Sequence, residues 1–144
     1  MLGQILKHNE AGYTNKEQII IDEYSEKNHI IYNDPNLIGQ VLDNIISNAI
    51  KYSEKGKRIW ISSNETPDKV LLSIRDEGQG ISENEIGKIF QKFAKASSKP
   101  TDGESSTGLG LSIAKHLMNA CGGKVTCESK LGIGTTFTIE LPND

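Results

Sequence analysis

The chain has 144 residues, 35% of them hydrophobic and 24% charged, which is one soluble domain's worth of sequence with a single core. A formal net charge of −3 gives no basic footprint, so nucleic acid is not an expected partner. Cys121 and Cys127 form neither a CxxC pair nor a disulfide framework, no apolar run approaches the ~20 residues that cross a bilayer, and the N-terminus lacks a signal peptide's apolar stretch. The expectation is a cytoplasmic piece with reduced thiols and no direct membrane insertion, which leaves a membrane-anchored parent open.

Residues 1–15 read as a helical stub or linker whose apolar positions are Leu2, Ile5 and Leu6, and residues 16–144 as the functional domain. Over residues 16–27, the spacing of Ile19, Ile20, Glu23 and Tyr24 predicts an amphipathic helix, followed by a short strand at His29, Ile30, Ile31 and Tyr32. Asp34 and Pro35 open a long helix over residues 35–52. Its apolar positions, Leu37, Ile38, Val41, Leu42, Ile45, Ile46, Ala49 and Ile50, predict a strongly buried face.

Residues 58–63 and 70–75 read as a hairpin, with Val70, Leu72 and Ile74 alternating at period two. A helix over 82–93 is expected from Ser82 as N-cap and Glu85 at the capping-box position. Residues 95–107 are too polar to pack and are expected to be mobile. A third helix carries Leu111, Ile113, Ala114, Leu117 and Met118 and stops at Gly122 and Gly123. Strands over 125–129 and 135–141 end the chain. The order predicts an α+β two-layer sandwich with helices on one face of a mixed sheet.

Three segments carry candidate chemistry. Asn44, Asn48 and Lys51 lie at i, i+4 and i+7, on one helical face beside the apolar stripe. Two such asparagines are compatible with exposure or with capping of nearby backbone, but an amide oxygen is also a suitable hard ligand for Mg²⁺ and a lysine suits a phosphate. Asp76, Glu77, Gly78, Gln79, Gly80 and Ile81 form a glycine-rich turn after a strand. It could be any tight turn, or a place where backbone approaches a flat ligand and Asp76 accepts a hydrogen bond from an exocyclic amine such as adenine's. Residues 105–112 form a glycine loop entering a helix, an arrangement that favours anions. It is not a Walker A loop, because Leu109 stands where the lysine is required.

In order and wording these segments resemble the N, G1 and G2 boxes of histidine-kinase ATP-binding domains, members of the GHKL superfamily with gyrase, MutL and heat-shock chaperone ATPases. The N box is residues 40–52, G1 residues 76–81, an F box residues 89–93 and G2 residues 107–111, with a closing glycine segment at residues 132–137. The resemblance implies ATP and Mg²⁺ as cofactors. Asn48 is the implied metal ligand, and Asn44 lies near the γ-phosphate or its metal. Lys51 and Tyr52 line the phosphate and nucleoside side, while Asp76 takes the adenine amino group, with Gly78, Gly80, Ile81 and Thr135 around the base. Phe93 of the F box, which with Phe90 equally fits core packing at i, i+3, and Thr107, Gly108, Leu109, Gly110 and Leu111 of G2 complete the binding set, and Lys95 reaches the γ-phosphate. Asn44 and Lys95 are thus the implied catalytic groups.

Two features depart from that pattern. Relatives show two strands between the first helix and the N box, where residues 29–33 offer one. The acceptor pattern of His followed by an acid, a basic residue and Pro is absent around His8, His29 and His116. By resemblance, the domain holds Mg²⁺-ATP and donates its γ-phosphoryl group to a histidine on a separate helical dimerisation and phosphotransfer domain, with a response regulator downstream. The alternatives are a nucleotide-binding regulatory module without transfer, and another GHKL ATPase or serine kinase.

Overall fold

A computed structural model describes residues 1–23, 33–94, 99–101 and 108–143. The elements are α1 (Leu2–His8), α2 (Glu10–Asn15), β1 (Ile19–Glu23), α3 (Pro35–Tyr52), β2 (Arg58–Glu65), β3 (Lys69–Asp76), α4 (Glu83–Ile86), α5 (Gly110–Ala120), β4 (Lys124–Lys130) and β5 (Gly134–Pro142). The five strands lie in the order β1-β2-β3-β5-β4; β1 runs parallel to β2, and the other pairs are antiparallel. This is the α+β arrangement of helices on a mixed sheet that the sequence predicts.

α3 forms because its apolar residues repeat at helical spacing and both ends are secured. At its start Asp34 accepts the Asn36 N–H at 2.8 Å, and Pro35 occupies a first-turn position that needs no donor. Ile38, Val41, Leu42, Ile45, Ile46, Ala49 and Ile50 are buried, against a sheet face that supplies Ile59, Ile61, Ile74, Phe137, Ile139 and Leu141 to the same core. α5 joins that core through Ala114 and Met118, and α1 through Ile5. On the opposite side of β2 and β3, Trp60 lies between the guanidinium groups of Arg58 and Arg75, 5.1 and 4.4 Å from its ring centre.

Two sequence expectations are corrected. The helix expected over residues 16–27 is a strand where the chain is described: Ile19, Ile20 and Ile21 belong to β1, whose register with β2 pairs Ile20 with Ile59 and Ile21 with Trp60, and residues 24–27 fall outside the described residues. Three consecutive β-branched residues favour the extended chain, and α3 supplies the crossover that parallel neighbours require. The strand expected at His29 to Tyr32 falls outside the described residues. The helix expected over 82–93 is only the short α4. Beyond it the chain turns through three-residue hydrogen bonds, Lys88 N–H to Glu85 O, Gln91 N–H to Lys88 O and Ala94 N–H to Gln91 O. These turns bury Ile89 and set the Phe90 ring edge-on to Phe137, so core contacts are met without a continued helix. Ser82 makes no side-chain cap.

Ile46 is fully buried where α3 meets the sheet. Ile46→Ala is expected to destabilise the domain by about 2–5 kcal/mol, because the cavity it leaves is enclosed by rigid elements. Urea unfolding measures this, and a loss below about 1 kcal/mol would mean that α3 is not the core helix.

Candidate nucleotide site

The register of the central strands builds the acidic end of the site. Asp76 is the last residue of β3 and lies opposite Thr135 of β5. Its Oδ1 accepts the Gly78 N–H at 2.8 Å and the Thr135 N–H at 3.3 Å, while Oδ2 accepts no hydrogen bond among the described residues. Burial pushes the Asp76 carboxyl up to about 6, an effect that these two backbone donors oppose. At neutral pH the group is therefore still ionised, with one oxygen left to accept a donor from the cleft. The same burial, with Asp76 close by, pushes the Cys127 thiol up to about 12.

The turn after Asp76 admits only glycine at its tight points. A Cβ on Gly78 would lie 2.7 Å from Tyr52 O and 2.8 Å from Asp76 Oδ1, so any side chain would prise the carboxylate away from α3. Gly80 has φ of +75°, and a Cβ there would meet Lys130 O at 2.2 Å. Ser129 fixes the neighbouring backbone: its Oγ accepts the Ile81 N–H at 2.8 Å and lies 2.8 Å from Thr135 Oγ1.

The opposite wall is the polar edge of α3. Asn44 donates from Nδ2 to Gly110 O at 3.1 Å, which fastens the start of α5 to α3 and leaves Asn44 Oδ1 with no donor among the described residues. The Asn48 amide and the Lys51 ammonium have no hydrogen-bond or ion-pair partner among the described residues. At the first turn of α5, backbone N–H groups lack intrahelical acceptors by geometry.

These walls line a cleft of about 210 Å³ that opens to solvent. Of the residues named from sequence, Asn44, Asn48, Lys51, Tyr52, Asp76, Gly80, Ile81, Gly108, Gly110, Leu111 and Thr135 line it. Gly78 lies behind Asp76, and Leu109 is outside the lining. Phe93 is also outside it, with its side chain turned to solvent at φ of +58°. Lys95 and Thr107 fall outside the described residues, as does most of the polar stretch 95–107; within it, residues 99–101 are held by hydrogen bonds. Sequence reasoning assigned no site role to Ser47, Gln79, Ile89, Ala94 and Phe137, which also line the cleft. Ser47 was legible as the residue three beyond Asn44 on the same helical face, and Gln79 as the centre of the glycine turn.

The fold and the cleft are those of a family of ATPase domains. The profile of the family described as histidine kinase-, DNA gyrase B-, and HSP90-like ATPase matches residues 33–144, and the chain belongs to that family. It is 43% identical over 111 residues to the sensor histidine kinase WalK of Bacillus subtilis, covering 76% of this chain and 18% of WalK. The chain thus spans less than a fifth of that relative's length. The catalytic domain of the histidine kinase ThkA is similar in structure, with a TM-score of 0.83, 28% identity, and coverage of 97% of this chain and 90% of that one. ThkA is also known in complex with the response regulator protein TrrA, where the TM-score is 0.81 at 26% identity, covering 99% of this chain and 39% of that one. Full-length ShkA in complex with AMPPNP matches with a TM-score of 0.84 and 28% identity, over 98% of this chain and 29% of that one.

A carboxyl that holds its proton more tightly when folded contributes stability that is full below about 3.8, its ordinary value, and lost as pH rises through about 6. Asp76→Asn removes that loss. The melting temperature of the variant minus that of the parent is therefore expected to be more positive at pH 7.5 than at pH 4.5. A difference that does not change over this interval would mean that Asp76 is not buried as described.

Proposed function

We propose that this domain binds Mg²⁺-ATP and donates the γ-phosphoryl group to a histidine on a separate helical dimerisation and phosphotransfer domain, in two-component signalling with a response regulator downstream. The observation that carries this reading is the convergence in one cleft of Asp76 and of the amide oxygens of Asn44 and Asn48, with one Asp76 oxygen and both amide oxygens lacking a donor among the described residues. Kinship to WalK and to ThkA supports the choice of a histidine kinase within the family. The proposal assigns residues 1–15 to a helical stub and 16–144 to the ATP-binding domain.

Asp76 Oδ2 is positioned to accept the adenine amino group, with Gly80, Ile81 and Thr135 beside the base. The donor set on α3 fits Mg²⁺: Asn48, with Asn44 adjacent, offers neutral hard oxygens that leave coordination positions for phosphate and water. When bound, the metal neutralises charge on the phosphate oxygens. Lys51 and the first-turn N–H groups of α5 add positive potential from the protein, and the proposal extends to Lys95 and Thr107 at the phosphate end. Phosphoryl transfer depends chiefly on positioning and electrostatics, so the chain needs no nucleophile of its own. The imidazole nitrogen of the acceptor histidine forms the new bond to phosphorus as the bond to ADP breaks. His8 is engaged with Asp43 at 3.1 Å and His116 lies exposed on α5, away from the cleft lining.

The test is radiolabelled ATP with the chain alone and with its helical domain added in trans. The expected result is acid-labile, base-stable label on the helical domain only. Asn48→Ala should lower transfer at least about tenfold while metal-free ADP still binds, as loss of a metal ligand rather than of a base contact. Label on His8 or His116 of this chain, or no transfer by a parent that binds ATP, contradicts the reading.

A further inference from the structure

We propose that Lys16 is a positioning residue of the nucleotide site, holding the C-terminal turn of α3 and residues 99–101 in one fixed relation to the cleft. This rests on the nucleotide reading above but adds a residue that lies outside the family profile's match and outside the cleft lining.

Lys16 follows α2 and is 5% exposed, an unusual place for an ammonium. Its Nζ lies 2.9 Å from Ile50 O, 3.1 Å from Lys51 O, 3.4 Å from Ser53 O and 2.8 Å from Thr101 Oγ1. Carbonyls at the end of a helix have no intrahelical donor and carry the negative end of its dipole, so a buried cation is matched there by both charge and hydrogen bonding. Gln18 reinforces the grip, donating from Nε2 to Ile50 O at 3.1 Å and to Ser53 O at 2.8 Å.

What makes this more than a helix cap is the fourth acceptor. Thr101 belongs to the segment that precedes the glycine loop, and it is tied to the same turn of α3: its N–H donates to Lys51 O at 2.9 Å and its Oγ1 to Ser53 O at 3.0 Å. Two residues earlier, the Gln79 side chain reads the backbone of Lys99, accepting its N–H at 3.1 Å and donating to its carbonyl. Pro100 stiffens the step between these two attachments. Gln79 lines the cleft, and its own N–H donates to Tyr52 O at 3.2 Å. One ammonium therefore secures Lys51 and Tyr52 on one wall and the segment held by Gln79 on the other. Loss of its charge releases both from a common anchor.

Calorimetry with ADP on the parent chain, Lys16→Met, Thr101→Val and the double variant tests this well below each melting temperature. Each single variant is expected to bind ADP about fivefold or more weakly, and the double variant no more than about twofold below the weaker single, because both changes break one linkage. A cap with a purely structural role would lower the melting temperature and leave ADP affinity unchanged. A folded Lys16→Met that binds ADP within about twofold of the parent, or single effects that multiply, overturns the proposal. If Lys16→Met does not fold, unchanged affinity in Thr101→Val overturns it alone. Failure of the parent to bind ADP strikes instead at the nucleotide reading.

Discussion

The site depends on α3 serving two surfaces at once. Its apolar face, from Ile38 to Ile50, is buried against the sheet, and the adjoining edge carries Asn44, Asn48 and Lys51 into the cleft. Because the helix cannot rotate without expelling isoleucines from the core, the polar groups are held at fixed height and angle above Asp76. The helix is also secured at both ends, by Asp34 at its start and by Lys16 and Gln18 at its finish. Rigidity of this kind fixes the orientation of the amides by packing, before any ligand binds.

The acidic wall is built differently. Among the described residues Asp76 has two backbone donors, both on one oxygen, and burial raises its pKa toward 6. A fully satisfied carboxylate would be more stable and less useful. The other oxygen has no donor among the described residues, the condition under which a single donor on a flat ligand gives selectivity. Gly78 and Gly80 preserve that arrangement, because any side chain there would collide with Tyr52 or Lys130 backbone.

Much of this was legible in the sequence because it is carried by local pattern. The periodicity of α3 and the alternation in β3 and β5 set which faces are buried, and the glycine turns mark where backbone must approach. The misread segment was one in which two patterns coincide. Ile19, Ile20 and Glu23 fit a helical face, but three adjacent isoleucines pair in parallel with β2, a partner that lies beyond α3 in the chain. Residues 82–93 carry the start signals of a longer helix in Ser82 and Glu85, but beyond α4 the chain folds as successive turns. Lys16 and Gln18 carried no signal at all, since the acceptors described above are main-chain carbonyls 32–37 positions downstream and, for Lys16, also the Thr101 hydroxyl 85 positions downstream. Long-range side-chain to backbone contacts leave no periodicity to read.

The central claim is that one face of the sheet, beneath α3 and α5, holds an adenine nucleotide between the α3 edge and Asp76. Amide chemical shifts of the isotopically labelled chain titrated with ADP measure this most directly. The account predicts large, saturable changes at Asn44, Asn48, Gly78, Gly80 and Thr135, with little change at Ser62, Ser73 and the Trp60 indole on the opposite side of the sheet. Changes concentrated around Trp60, or none that saturate at the five cleft positions, would contradict it.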